Sequence, residues 1–232
     1  MANVRVSSAR HDERGKLTGG KAGDQTGKEV SEQNFYVHSK GWFVLRPKDP
    51  VHADKIAERM KAACNNPFIG YDQGNRLAIT KVGIDTKSAT ECDCSSLVRQ
   101  CVREACGLDP GNFTTANEKG MLLATGLFED VGGYRVGMTI CQGDILVTKS
   151  KGHTVICTEG AQRTAPIQYY PKCKSSYTSI VDGLLSVGET NITKDNRSKI
   201  AAKNGIRNYT GTAAENTKLL KLLKQGKLKK VV

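Results

Sequence analysis

Glu91-Cys92-Asp93-Cys94-Ser95-Ser96-Leu97-Val98 is the stretch on which the reading of this chain turns. Apolar residues recur at Leu97, Val98, Cys101, Val102 and Ala105, the spacing of one face of an α-helix, and Gly107 stops the pattern. Cys94 therefore stands where a loop turns into a helix. A thiol there lies at the positive end of the helix dipole, and a histidine beside it can bring its pKa from about 8.5 into the range of about 3.5–7.5. The backbone N–H groups of the first turn also offer donors to a tetrahedral oxyanion. On these grounds Cys94 is the candidate nucleophile.

A nucleophilic thiol needs a base, and the chain has four histidines. His11 lies in a polar N-terminal segment, His38 precedes a strand, and His52 falls in the first turn of a helix. His153 follows Gly152 and heads the apolar run Thr154-Val155-Ile156-Cys157-Thr158. Across the turn Lys149-Ser150-Lys151-Gly152 that run faces Ile145-Leu146-Val147-Thr148, which is hairpin spacing. A histidine at the head of a paired strand is held rigidly, as a general base requires.

Outward from these two residues, Trp42-Phe43-Val44-Leu45 reads as a short strand stopped by Pro47. Asp49 reads as an N-cap and Pro50 as the first residue of a helix over 50–64, with Ala53, Ile56, Ala57, Met60 and Cys64 on its apolar face. Thr115-x-x-Glu118 has capping-box spacing and predicts a third helix, ended by Gly126. Helices followed by antiparallel strands predict an α+β fold rather than a doubly wound sheet. The first forty residues are Gly-rich and polar, with a turn cluster from Gly19 to Gly27.

Around Pro171–Tyr177 the texture changes. Beyond it, three short helices are expected at about 178–187, 196–203 and 212–225, the last opened by a second capping box, Thr212-x-x-Glu215. The expected organisation is a domain over 1–172, a linker over 173–177 and a small three-helix bundle over 178–232.

Composition narrows the function. Apolar residues make up 38% and charged residues 25% of the 232, enough for a packed core. No apolar run approaches the roughly 18 residues of a membrane span, and the first thirty residues show no secretory signal. The net charge of +12 is concentrated toward the C-terminus, where residues 175–232 hold eleven basic and four acidic side chains. Such a tail suits a polyanionic partner. Nucleic acid is disfavoured, because the last fifty residues offer a single aromatic, Tyr209, for stacking on bases. The eight cysteines contain no CxxC pair and no Cys/His grouping of structural-zinc type, so mostly reduced, buried thiols are expected, and no metal.

Asp93-Cys94-Ser95-Ser96-Leu97-Val98, followed by Gly143-Asp144-Ile145-Leu146-Val147 and Gly152-His153-Thr154-Val155-Ile156, resembles the NlpC-type and CHAP-type cysteine peptidases. These are papain-like folds that cut peptide or amide bonds in bacterial peptidoglycan. From Gly19 to Gly160 the pattern is similar to the catalytic domains of phage and prophage endolysins of Gram-positive hosts. The tail, from Asn204-Gly205-Ile206 to Ala213-Ala214 and on into its Leu/Lys helix, is similar to the wall-binding modules of the same lysins. The resemblance implies Cys94 as nucleophile and His153 as base, with no cofactor. It places Tyr71, Asp93, Ser95, Asp24 and Gln25 in the substrate-binding or oxyanion region, with Asp93 anchoring the helix start. The family wants a polar group to orient the imidazole. The usual position, some twelve residues past His153, holds Ala165, so Glu159 is the best-placed substitute and Gln162 the second. The implied partners are peptidoglycan and anionic wall polymers. The bond cut is that of an endopeptidase or, alternatively, an N-acetylmuramoyl-L-alanine amidase. The implied site of synthesis is a host cytoplasm, with action on the wall after release.

Overall fold

A computed structural model describes residues 4–164 and 167–231. The chain divides into two compact units, Met1–Ala165 and Pro166–Val232. Ala165 itself lies outside the described residues.

The polar N-terminal segment forms two strands, β1 (Arg5–Ala9) and β2 (Val30–Asn34), paired antiparallel. They are followed by β3 (Trp42–Pro47) and by α1 (Pro50–Cys64), which starts where the sequence predicts: Asp49 accepts the Val51 N–H and Pro50 sits in the first turn. Next come the short strand β4 (Ile69–Tyr71), a single helical turn α2 (Ile79–Val82) and β5 (Thr90–Cys92), which pairs parallel to β4. The decisive helix is α3 (Cys94–Cys106), ended by Gly107 in the left-handed region at φ 68°. Then follow α4 (Glu118–Ala124), β6 (Phe128–Gly133), β7 (Ile145–Thr148) and β8 (Thr154–Glu159).

Six strands make one antiparallel sheet in the order β2-β1-β8-β7-β3-β6. Alternation along β7 and β8 divides their side chains between two buried layers. Ile145, Val147 and Ile156 join Ile56, Met60, Leu97, Val98 and Cys101 in the core that holds α1 and α3, while Leu146, Val155 and Cys157 pack with Val6, Trp42 and Val44. With both faces covered, the strands read as near-continuous apolar runs.

The Gly19–Gly27 cluster is a brace for β4. Buried Glu29 accepts the Gln25 N–H (2.9 Å) with one oxygen and the Tyr71 N–H (2.9 Å) with the other. The turn approaches so closely that a Cβ on Gly70 would lie 2.3 Å from the Gly23 carbonyl oxygen, so only glycine fits at Gly70.

The second unit contains α5 (Ile180–Ser186), α6 (Lys194–Lys203) and α7 (Ala213–Gln225) around a core that includes Leu184, Ile200, Leu219, Leu220 and Leu223. Tyr170 and Cys173 belong to this core, so the second unit begins ahead of the 173–177 linker expected from composition. The Thr212–Glu215 capping box forms as predicted.

Thr115-x-x-Glu118 does not behave in that way. The N-cap of α4 is Asn117, without a side-chain cap bond, and Glu118 turns inward and is fully buried.

Candidate active site

α3 begins at Cys94 because Asp93 closes a full capping box. Its Oδ1 accepts the Ser96 N–H at 2.7 Å, and Ser96 Oγ accepts the Asp93 N–H at 2.9 Å. Asp93 Oδ2 accepts Arg76 Nε at 2.6 Å, and Ser95 Oγ donates to Asp93 Oδ1 and accepts Arg76 Nη2, both at 3.0 Å. Arg76, Asp93 and Ser95 thus lock the start of the helix and hold the Cys94 thiol in place. Asp93 and Ser95 have their polar atoms committed to that lock.

The His153 backbone is pinned as firmly. Thr148 Oγ1 accepts the His153 N–H (3.0 Å) and donates to the His153 carbonyl (3.1 Å), and the Thr148 N–H donates to the same carbonyl. One residue earlier, the Gly152 N–H donates to Thr115 Oγ1 at 3.0 Å. The hydroxyl of Thr115, released from helix capping, therefore anchors the loop that carries His153.

Cys94 meets this loop directly. The backbone N–H groups of Thr154, the neighbour of His153, and of Ser95 face its sulfur closely enough to favour the thiolate. Cys94 lines a cavity of about 170 Å³ whose wall includes Asp93 and Ser95, as expected, with Arg76, Thr115 and Gly152; His153 and Tyr71 are not among the lining residues. Burial raises the Cys94 thiol pKa, and the charge of Asp93, joined by that of Glu118 when it is ionised, pushes it further in the same direction. Burial lowers His153 to about 4, helped by the charges of Arg10 and His38. Both groups are thus neutral at rest, with the thiol holding its proton and the imidazole free to accept one.

The imidazole is oriented by Ser8, whose Oγ lies 3.1 Å from His153 Nε2. Glu159 does not fill that role. It stands at the far end of β8, where it accepts Lys61 Nζ at 3.1 Å in an exposed ion pair. Gln162 bonds Gln142. The orienting group comes instead from β1, which the antiparallel pairing with β8 lays alongside the histidine strand. The only hint in the sequence is the alternation Val4, Val6, Ser8, too short and too polar to stand out as a strand.

Tyr71 is buried beside the nucleophile. Its hydroxyl accepts Gln73 Nε2 at 3.0 Å, and burial, then the nearby Cys94, raises its pKa. Asp24 and Gln25 are turn residues: Asp24 Oδ1 accepts the Thr26 and Gly27 N–H groups, and Gln25 Nε2 donates to the Ala22 and Gly23 carbonyls. Neither lines the cavity at Cys94.

Glu118 is the residue that sequence reasoning places in the wrong role. It is fully buried, with Oε1 2.6 Å from Thr154 Oγ1, and Oε2 has no hydrogen-bond partner among the described residues. Burial raises its pKa to about 8; the Thr154 bond opposes the shift and the Asp93 charge adds to it. Among the described residues, no group of three or more His, Cys, Asp or Glu is arranged to hold a metal ion.

A family model described as an endolysin-like domain matches residues 6–164, the span that carries every residue of this site. The chain belongs to the endolysin-like domain family. No curated protein and no solved structure matches it. Membership makes it an endolysin-type protein, and the activity that goes with the family is hydrolysis of the bacterial cell wall. No described helix of this endolysin-like chain is long and apolar enough to cross a membrane.

Proposed function

We propose that this endolysin-like protein is a papain-like cysteine peptidase of the NlpC/CHAP type that cleaves a stem-peptide amide bond of peptidoglycan. The observation that carries the reading is the meeting of the Cys94 sulfur, at the start of α3, with the Thr154 amide next to His153, beside an open cavity.

In this mechanism the Nε2–H of His153 donates to Ser8 Oγ, which leaves the Nδ1 lone pair to act as base. As the sulfur bonds to the substrate carbonyl carbon, the thiol proton passes to Nδ1. The C–N bond then breaks, and the leaving amine takes that proton. Water adds to the thioester, giving one proton to Nδ1, and the sulfur leaves and recovers it, so a carboxylic acid is released. Because the resting pair is neutral, proton transfer accompanies attack rather than preceding it. The Cys94 N–H at the helix start serves the oxyanion.

The second unit, with its surplus of lysines, holds the enzyme on anionic wall polymers and so raises the local substrate concentration. Synthesis in a host cytoplasm and action after release fit this reading.

Cys94→Ala is expected to abolish clearing of a susceptible cell wall while wall binding persists; clearing that survives the substitution overturns the proposal. Mass spectrometry of the released fragments identifies the bond. New amino termini within the stem indicate an endopeptidase, and sugar freed from L-alanine indicates an amidase.

A further inference from the structure

The Thr154 hydroxyl carries one proton and has two oxygens within reach, Glu118 Oε1 at 2.6 Å and the Leu146 carbonyl at 3.1 Å. One proton cannot serve both. Both contacts are satisfied if Thr154 donates to Leu146 and accepts from a protonated Glu118. The second Glu118 oxygen points the same way: it is buried without a partner among the described residues, a condition that costs a carboxylate far more than a neutral acid.

We propose that Glu118 is a positioning residue that works as a neutral carboxylic acid, donating to Thr154 so that the Thr154 amide stays aimed at the Cys94 sulfur, and keeping negative charge away from the nucleophile. The inference rests on Cys94 being that nucleophile. Thr154 links the two halves: its side chain bonds Glu118, and its backbone N–H faces the Cys94 sulfur next to His153.

The charged and titratable surroundings of Glu118 are few. Asp93, held by Arg76, and the Cys94 thiol face it from the start of α3. β8 presents the uncharged Thr154. The adjacent Lys119 on α4 is engaged with Asp130 of β6 and lies over the Phe43 ring of β3. Among the described residues, no cation is paired with Glu118. Ionising it would therefore place a second carboxylate beside the sulfur, uncompensated, and remove the proton that Thr154 accepts.

The test has a spectroscopic arm and a kinetic arm. Infrared spectra of the full chain, with glutamate carboxyls isotope-labelled, should show at about pH 6 a protonated-carboxyl band in the difference between wild type and Glu118→Gln, a subtraction that cancels the band of buried Glu91, raised to about 8 by its own burial. In Thr154→Val, which removes the partner, the band should shift in frequency. In wall clearing, the wild type should lose about tenfold in rate between about pH 7 and pH 9. Glu118→Gln, scaled to its own neutral rate, should lose less than about twofold. A difference spectrum without that band at about pH 6, or alkaline limbs that coincide in the two proteins, overturns the proposal. Clearing that survives Cys94→Ala removes the nucleophile instead, while the infrared arm still reports the state of Glu118.

Discussion

Thr115-x-x-Glu118 and Thr212-x-x-Glu215 are the same motif with opposite fates. In the second, Thr212 caps α7, and Glu215 Oε2 accepts the Thr212 N–H at 2.8 Å and the Gly211 N–H at 2.9 Å. These bonds, those of Thr212 foremost, lower the Glu215 carboxyl to about 2. In the first, the threonine holds the Gly152 loop, and the glutamate sinks under the nucleophile with its pKa raised to about 8. Four residues cannot tell these outcomes apart. A surface helix uses the motif for its own N-terminus, whereas beside the cavity the same groups serve contacts from distant strands.

The largest way to sharpen this contrast is pH-dependent stability. Glu118 binds its proton more tightly folded than unfolded, so it favours the fold least at high pH: stability falls as pH rises from about 4.5 through about 8, by about 3–5 kcal/mol. Glu118→Gln removes its own share of this slope and leaves that of buried Glu91, whose carboxyl burial also raises to about 8. Glu215 has the opposite sign, since its stabilisation is present above about 4.5 and lost as pH falls through about 2. Calorimetry across a pH series should find a loss of stability between about pH 5 and pH 8 in the first unit, and none from Glu215 in the second. An alkaline slope unchanged in Glu118→Gln breaks the contrast.

His153 is the other group buried beside the first motif. Its folded pKa of about 4, against 6.5 in the unfolded chain, means that the unfolded state binds the proton more tightly. Stability is complete above about pH 6.5 and is lost as pH falls to about 4, at a cost of about 3 kcal/mol. His153→Gln should flatten that acid slope. The base also stays unprotonated, so wall clearing by surviving folded enzyme should persist well below pH 6.5.

Smaller effects are expected from the two hydroxyls that hold the histidine. Ser8→Ala removes the partner of Nε2, and Thr115→Ala frees the Gly152 loop. Each should lower the clearing rate by about tenfold, since small misplacements of a reacting group are costly. Helix α4 should not lose stability in Thr115→Ala, because Asn117 is its N-cap. Destabilisation of α4 would mean that Thr115 does cap it.

What is legible in the sequence follows the range of the interactions involved. α1, α3 and α7 announce themselves through apolar period and caps, and β7 and β8 through apolar runs around a short turn. β2 is mostly polar, β6 ends in two glycines, and β4 and β5 are three residues each, so their local signals are weak. The candidate site divides in the same way. Cys94 and Asp93 are defined by a helix start and His153 by a strand start, all local features. Ser8 reaches His153 across a separation of 145 residues, and Glu118 reaches Thr154 across 36. Glu159 looks well placed in the sequence because it ends the strand that His153 leads into, but strand length separates the two and only a neighbouring strand can bring a partner alongside.

The smallest effect tests the bland half of the comparison. Thr212→Ala removes the hydroxyl that accepts the Glu215 N–H, a cap worth about 1 kcal/mol. The loss should fall on the second unit alone, seen as a lower unfolding temperature for its transition while that of the first unit stays in place. The catalytic rate on soluble wall fragments, which needs no anchoring, should not change. A fall in that rate would show that the second motif also serves the chemistry, and the division between a local cap and a site-building carboxyl would no longer separate the two regions.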